Sequence, residues 1–114
     1  MVGQYIMGFC RLEIAHKLKK IETSVVKTGW RNRMGNKGAA IIRFNLDDTS
    51  LFFANCHLES GHSKLKERVA QFDYITKQAF RDSEVVYRYS FDKHDVKVMF
   101  GDLNFRLDMD YEPA

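Results

Sequence analysis

Two neighbouring runs of alternating residues, Gly38–Leu46 and Ser50–Leu58, place the strongest constraint on how this chain can fold. The turn-forming residues 47–49, Asp-Asp-Thr, separate them, which predicts an antiparallel hairpin. One face of each arm is apolar, and the opposite faces also carry apolar residues such as Ile41 and Phe53. A strand with apolar side chains on both faces is at least partly buried on both sides. The hairpin is therefore predicted to lie inside a layered protein.

Other elements are predicted on both sides of the hairpin. Residues 63–80 have the period of a helix with Ser63 as its N-cap, because apolar residues recur on one face: Leu65, Val69, Phe72, Ile75 and Ala79. Composition predicts strands at Gln4–Ile14, Ile21–Thr28 and Asp95–Gly101, a turn or single helical turn at 16–20, and a connection at 81–94. Strands followed by a helix and another strand predict a mixed α/β (α+β) layered fold.

Composition narrows the class of protein. Of 114 residues, 45% are hydrophobic and nine are Phe, which supplies a core and disfavours disordered, collagen-like and coiled-coil classes. No apolar run approaches the roughly 20 residues that span a bilayer. Two cysteines cannot form a disulfide scaffold. Cys10 and Cys56 are therefore predicted to be buried thiols in a reducing compartment, such as the cytoplasm.

Charge is distributed unevenly along the chain. Residues 11–37 contain eight basic and two acidic residues, whereas residues 95–114 contain two basic and five acidic ones. A basic region favours an anionic ligand or an anionic membrane surface. The alternative is a solvated surface on which the charges average out in three dimensions.

Residues 100–106, Phe-Gly-Asp-Leu-Asn-Phe-Arg, carry the strongest chemical signal, because an apolar strand runs directly into a glycine and a carboxylate. Asp102, Asn104 and Arg106 share parity, so their side chains would project together from an extended chain. A carboxylate can activate water, an amide can hold it, and an arginine can bind an anion. The alternating residues would then face the core: Leu103, Phe105 and Leu107. A strand-ending turn with local hydrogen bonds is the structural alternative.

Two further segments combine chemistry with a suitable position. His57 follows an apolar strand in residues 55–58, Asn-Cys-His-Leu, where it can contact a ligand or satisfy a neighbouring carbonyl. The other histidines, His16, His62 and His94, lie in polar surroundings and are predicted to be on the surface, and no zinc-ligand spacing occurs.

The second of these segments, residues 31–38, Arg-Asn-Arg-Met-Gly-Asn-Lys-Gly, suits a phosphate through glycine-freed amides and cations. It lacks the Gly-Lys-Ser/Thr of a P-loop, and an exposed basic turn is the alternative.

Taken together, these motifs resemble the inositol polyphosphate 5-phosphatases in order and approximate spacing: residues 35–40, Gly-Asn-Lys-Gly-Ala-Ala, then 49–51, 55–58 and 101–106. The resemblance implies a deoxyribonuclease-like fold of four layers, two packed sheets flanked by helices, with residues 1–114 forming part of the catalytic domain. It also implies Mg²⁺-dependent removal of the 5-phosphate from phosphoinositides or inositol polyphosphates.

The resemblance assigns a role to each matching position. Asp102 resembles the carboxylate that orients or activates the attacking water, and Asn104 the amide that holds water and a phosphoryl oxygen. His57 resembles the group that bonds the scissile phosphate. Asn36 and Lys37 resemble the loop that meets the lipid-side phosphate near the membrane.

Several family features have no counterpart in this sequence. The upstream Asn and metal-binding Glu, the Trp-Cys-Asp-Arg segment and the later Ser-Asp-His are absent, and the role of Arg106 stays open. The main metal ligand is thus expected outside this chain, which is predicted to be an inactive fragment peripheral to membranes. A nuclease of the same superfamily, or a non-catalytic fragment that binds anionic lipid, are the alternatives.

Overall fold

The computed structural model describes residues 3–29, 36–81 and 89–107. Four strands form one sheet in the order β1-β2-β3-β4, and one α-helix lies between β3 and β4 in the chain. Their bounds are β1 Leu18–Lys27, β2 Gly38–Leu46, β3 Thr49–His57, α1 Leu65–Gln78 and β4 Val96–Asp102. The first three strands are antiparallel, whereas β3 and β4 are parallel. The predicted mixed α/β architecture is therefore confirmed.

The central hairpin forms as predicted. β2 and β3 pair from Leu46↔Thr49 at the turn to Gly38↔His57 at the open end. Asp47 takes the left-handed conformation (φ 50°) that a tight two-residue turn needs and that Asp tolerates. This register fixes which residues share the far end of the sheet, where His57 lies.

One face of the sheet packs against α1 and forms the core. Phe52 is fully buried there, with its ring 5.2 Å from Phe91 and 6.2 Å from Phe80 between centroids. Cys56 is buried in the same core cluster, as predicted, and burial raises the pKa of its thiol to about 11. Only the C-terminal half of the predicted helix face reaches this core, since Ile75 is buried whereas Leu65 is 53% exposed.

The opposite face of the sheet, called here the outer face, is also apolar. Phe44 and Phe53 stack on it with ring centroids 5.8 Å apart, and Val98 and Phe100 of β4 lie on it 38% and 42% exposed. The prediction of apolar residues on both sides of the hairpin is confirmed, with one side buried and the other partly open. His57 and Asp102 lie at the end of this outer face, because the alternation along β3 and β4 places them there.

A buried polar cluster was not predicted. Arg43 in β2 is 3% exposed and donates to the Lys20 carbonyl (2.7 Å), to Asn45 Oδ1 (2.6 Å) and to His94 Nε2 (3.1 Å). A bulge in β1, with Lys20 at φ 53°, turns the Lys20 carbonyl toward this guanidinium. The surface prediction for His94 is wrong, because the imidazole is 4% exposed and packs against Phe52.

The N-terminal part departs from the predicted strand at Gln4–Ile14. Its described residues cross the outer face instead of joining the sheet, and a 3₁₀ helix spans Leu12–Lys17 before β1 begins. Cys10 is exposed, so the prediction of a buried thiol there is wrong. Within the described ranges, no helix is long and apolar enough to cross a membrane.

Two predicted boundaries also change. β1 begins at Leu18, within residues 16–20, which were predicted to form a turn. α1 begins at Leu65 after Lys64, and its N-terminus has no side-chain cap, so the assignment of Ser63 as N-cap is wrong. A different contact holds the start of β4: Asp95 Oδ2 accepts from the amide and the hydroxyl of Ser50, both at 2.8 Å. These hydrogen bonds lower the pKa of Asp95.

Candidate active site

His57 and Asp102 are the last residues of adjacent parallel strands and are direct register partners. His57 Nε2 lies 3.6 Å from Asp102 Oδ2, and the side chains are 35% and 63% exposed. This distance is longer than a hydrogen bond, so the two side chains are neighbours without a direct bond. Two side chains that are 45 positions apart in the sequence thus share one solvent-accessible strand end.

Lys37 approaches the same imidazole from the other side. It directly precedes β2, and Gly38 pairs with His57 across the hairpin. Lys37 Nζ lies 2.8 Å from His57 Nε2. An ammonium group can only donate, so this contact is a hydrogen bond in the tautomer that carries its proton on Nδ1 and accepts at Nε2. A cation and a carboxylate therefore flank one ring nitrogen.

Two glycines make this convergence possible. Gly38 (φ 139°) and Gly101 (φ 111°) both adopt conformations that L side chains rarely reach. A Cβ at Gly38 would overlap the Val26 carbonyl, and one at Gly101 would overlap Asn55 Oδ1 and the Cys56 carbonyl. Gly38 directly follows Lys37, and Gly101 directly precedes Asp102. The same two glycines therefore allow the strands to approach closely and place these two site residues.

Asn104 joins the site by a different route from the one predicted. β4 ends at Asp102, and Asn104 has a φ of 52°, so the chain is not extended there. The Asn104 amide donates to the Leu58 carbonyl (3.0 Å), while the Leu58 amide donates to the Asp102 carbonyl (3.0 Å). This exchange fastens the segment after β4 to the segment after β3.

The prediction of one shared face for 102, 104 and 106 is wrong because of that turn. The alternating core set also fails: Leu103 packs against the core, but Phe105 is 51% exposed and Leu107 83% exposed. Arg106 is exposed as well.

The basic loop is described only at its end. Asn36 is exposed and Lys37 is half-buried at the site, whereas residues 30–35 lie outside the described ranges. The predicted phosphate-binding role of residues 31–35 therefore stays a prediction.

Asn55 is a site neighbour that the sequence reasoning did not single out. Its amide donates to the Tyr5 carbonyl (2.8 Å), which ties the N-terminal segment to the outer face two positions before His57. Residues two apart in a strand share a face, so its parity with His57 was the signal that could have found it.

A complete cation site does not form among the described residues. No group of three or more His, Cys, Asp or Glu side chains in ranges 3–29, 36–81 and 89–107 could hold a metal ion. Asp102 supplies one carboxylate at the site, and Mg²⁺ is commonly held by one or two carboxylates with substrate phosphates and water. Asp102 thus fits as one ligand of such a set.

Comparison with known proteins assigns the family. The sequence model described as endonuclease/exonuclease/phosphatase family 2 matches residues 1–114, the whole chain. The chain belongs to this family. It is 37% identical over 115 residues to inositol-1,4,5-trisphosphate 5-phosphatase 1 of Schizosaccharomyces pombe, covering 98% of this chain and 10% of that protein. It is 38% identical over 104 residues to human phosphatidylinositol 3,4,5-trisphosphate 5-phosphatase 2, covering 88% of this chain and 8% of that protein.

A solved structure agrees with this assignment. The inositol polyphosphate 5-phosphatase domain of SPsynaptojanin, in complex with inositol (1,4)-bisphosphate and a calcium ion, superposes with a TM-score of 0.72 at 35% identity. The match covers 90% of this chain and 28% of the solved chain. The resemblance to 5-phosphatases and the deoxyribonuclease-like fold class are confirmed. The chain spans about a tenth of the length of the curated relatives it matches.

Proposed function

We propose that this chain contributes the His57–Asp102 strand ends to an enzyme that hydrolyses the 5-phosphate of inositol polyphosphates or phosphoinositides with Mg²⁺. The observation that supports the proposal is the convergence of Lys37, His57 and Asp102 on one exposed strand end. Two nitrogen groups for a phosphoryl oxyanion, beside a carboxylate that water can reach, match what phosphomonoester hydrolysis needs.

Each side chain has a role that follows from its contacts. Lys37 Nζ and His57 Nε2 lie 2.8 Å apart, so a phosphate that enters the site would meet both nitrogen groups and accept hydrogen bonds from the ammonium and from an imidazole N–H. Asp102 is 63% exposed, so it can accept a hydrogen bond from the attacking water and take its proton. Asn104 uses one amide hydrogen on Leu58, and its second can hold water or a phosphoryl oxygen.

The cation and the location belong to the proposal. Mg²⁺, when bound, would neutralise charge on the phosphate while Asp102 acts on the water, with the main carboxylate ligand of the metal outside residues 1–114. The 114-residue chain alone is accordingly expected to be inactive. The basic residues of 11–37 favour a cytoplasmic enzyme at the membrane periphery, at about 1 kcal/mol for each Lys or Arg near an anionic surface.

Phosphate release from a soluble inositol polyphosphate and from phosphoinositide vesicles tests the proposal, using the protein in its natural length. Asp102→Asn is expected to lower turnover by at least about 100-fold, because it removes the proton acceptor. Asp95→Asn is the matched control, since Asp95 lies at the opposite end of β4 and bonds only Ser50 in the described contacts.

The outcomes separate the alternatives. Near-normal turnover by Asp102→Asn refutes the role of this carboxylate. DNA cleavage without phosphate release favours the nuclease alternative, because the matched family includes endonucleases and exonucleases as well as phosphatases. Vesicle binding without hydrolysis of either substrate favours a non-catalytic lipid-binding protein.

A further inference from the structure

Arg68, in the first half of α1, is a fully buried arginine on the core side of the sheet. It is 1% exposed, and none of the ion pairs formed by the described residues includes it. Its Nε is buried without a hydrogen-bond partner. Burying a guanidinium without a carboxylate partner costs free energy, and its hydrogen bonds to backbone carbonyls have to offset that cost.

These contacts all go to the segment that follows His57. Arg68 Nη1 donates to the Gly61 carbonyl (2.7 Å) and to the Glu59 carbonyl (3.2 Å). One turn later, Gln71 Oε1 accepts from the Glu59 amide (2.7 Å). Helix α1 therefore hydrogen-bonds both the amide and the carbonyl of Glu59, which is the second residue after His57.

The same guanidinium also reaches the segment that follows Asp102. Its central carbon lies 5.6 Å from the ring centroid of Phe105, which is next to Asn104. Asn104 in turn bonds Leu58, so a closed set of contacts runs from the exit of β3, through Arg68, to the exit of β4. One helix side chain thus bridges the two chain segments that carry the candidate site.

We propose that Arg68 is a positioning residue that fixes the segments leaving β3 and β4, and with them the position of Asn104 relative to the His57–Asp102 pair. The expected effect of Arg68 on turnover rests on the proposed function, whereas its effect on the segments after β3 and β4 does not. Arg68 touches no reacting group. It acts by keeping residues 58–61 and 103–105 at one distance, and small displacements at a reacting centre are expensive in rate.

Arg68→Met tests this, because Met fills similar space without donors or charge. In the protein at its natural length, we expect the amides of Glu59 and Lys64 to exchange hydrogen at least about 10-fold faster, since their bonds depend on this segment. We expect the turnover number for inositol polyphosphate to fall about 10- to 100-fold with KM within about 2-fold. Arg68→Lys, which can still reach one carbonyl, should recover part of both losses.

Arg43→Met is the matched control, because Arg43 is equally buried and also bonds a backbone carbonyl. It pairs with Phe52, about 17 Å of strand from His57 at roughly 3.4 Å per residue. Its effect should be confined to stability. If both methionine variants lose stability while exchange at residues 59–64 and turnover stay normal in Arg68→Met, the arginine is only a core residue and the inference is refuted.

Two safeguards keep the test decisive. If Arg68→Met does not fold, Gln71→Leu replaces it as the test variant. Gln71 is half-buried on the helix surface and accepts a hydrogen bond from the Glu59 amide in the same segment. Normal exchange and turnover in that variant and in Arg68→Lys would refute the inference. A wild-type protein that releases no phosphate would overturn the proposed function, whereas the exchange comparison would still decide whether Arg68 holds the strand exits.

Discussion

Acidification should destabilise the fold through His94, because this imidazole is buried in a fixed neutral tautomer. Nδ1 lies 2.9 Å from the Ser90 carbonyl, which can only accept, and Nε2 lies 3.1 Å from Arg43 Nε, which can only donate. Protonation would therefore place N–H against N–H beside a guanidinium. The pKa of His94 is lowered mainly because burial disfavours the charged imidazole. The hydrogen bond to the Ser90 carbonyl opposes this shift, and the charges of Arg43 and Lys97 reinforce it.

The sign and size of the effect follow from proton linkage. An unfolded histidine titrates near pH 6.5, so below about that pH the unfolded chain binds a proton that the folded chain excludes. The contribution of His94 is complete above pH 7 and is lost as pH falls from about 6.5 toward its lower folded pKa. One proton corresponds to a slope of at most about 1.4 kcal/mol for each pH unit.

Urea unfolding at pH 7.5, 6.5 and 5.5 measures this slope, and His94→Gln is the control because it keeps a polar side chain without titrating. The wild-type free energy of unfolding should fall across this range while that of the variant stays nearly flat. Asp95, whose pKa is also lowered, changes protonation only at lower pH and is common to both proteins. Parallel pH dependence in the two proteins would show that His94 does not carry the effect.

Two substitutions test the packing that places the site. Gly101→Ala should cost about 3 kcal/mol or more and displace Asp102, because φ is 111° and a Cβ would overlap backbone and Asn55 atoms. Gly8→Ala, which meets no atom within 4 Å, should change stability by under about 0.5 kcal/mol, and equal effects in denaturant titrations would contradict the reasoning. Phe52→Ala should cost about 3–5 kcal/mol, since the ring is fully buried among aromatic neighbours; a loss below about 1 kcal/mol by the same measurement would argue against that packing.

Local pattern was sufficient for the elements whose pairing is also local. The hairpin and helix α1 formed close to their predicted bounds, because strand alternation and helical period each report on burial of a single face. The strand predicted at Gln4–Ile14 did not form: Tyr5 and Phe9 are 70% and 91% exposed, and the Tyr5 backbone carbonyl accepts from Asn55 instead of pairing in the ladder. Aromatic and apolar composition alone therefore does not distinguish a paired strand from a segment that crosses a sheet outside the ladder.

The features that could not be predicted depend on long-range partners. His94 looked like a surface residue because its neighbours are polar, and its partner Arg43 is 51 positions away. Arg68 falls on the same helix face as Ile75, so a charge within an apolar face was the available signal. The predicted alternation of side chains between the two faces fails after Asp102, because Asn104 adopts a left-handed backbone conformation.

The parallel ladder between β3 and β4 has a consequence for how such a chain can diverge. The hydrogen bonds that pair residues 51–57 with 96–102 set the spacing of His57 and Asp102. The length of the polypeptide that returns from α1 to β4 does not enter that spacing. Insertions or deletions between the helix and the fourth strand can therefore accumulate over evolution while the imidazole and the carboxylate stay opposite each other.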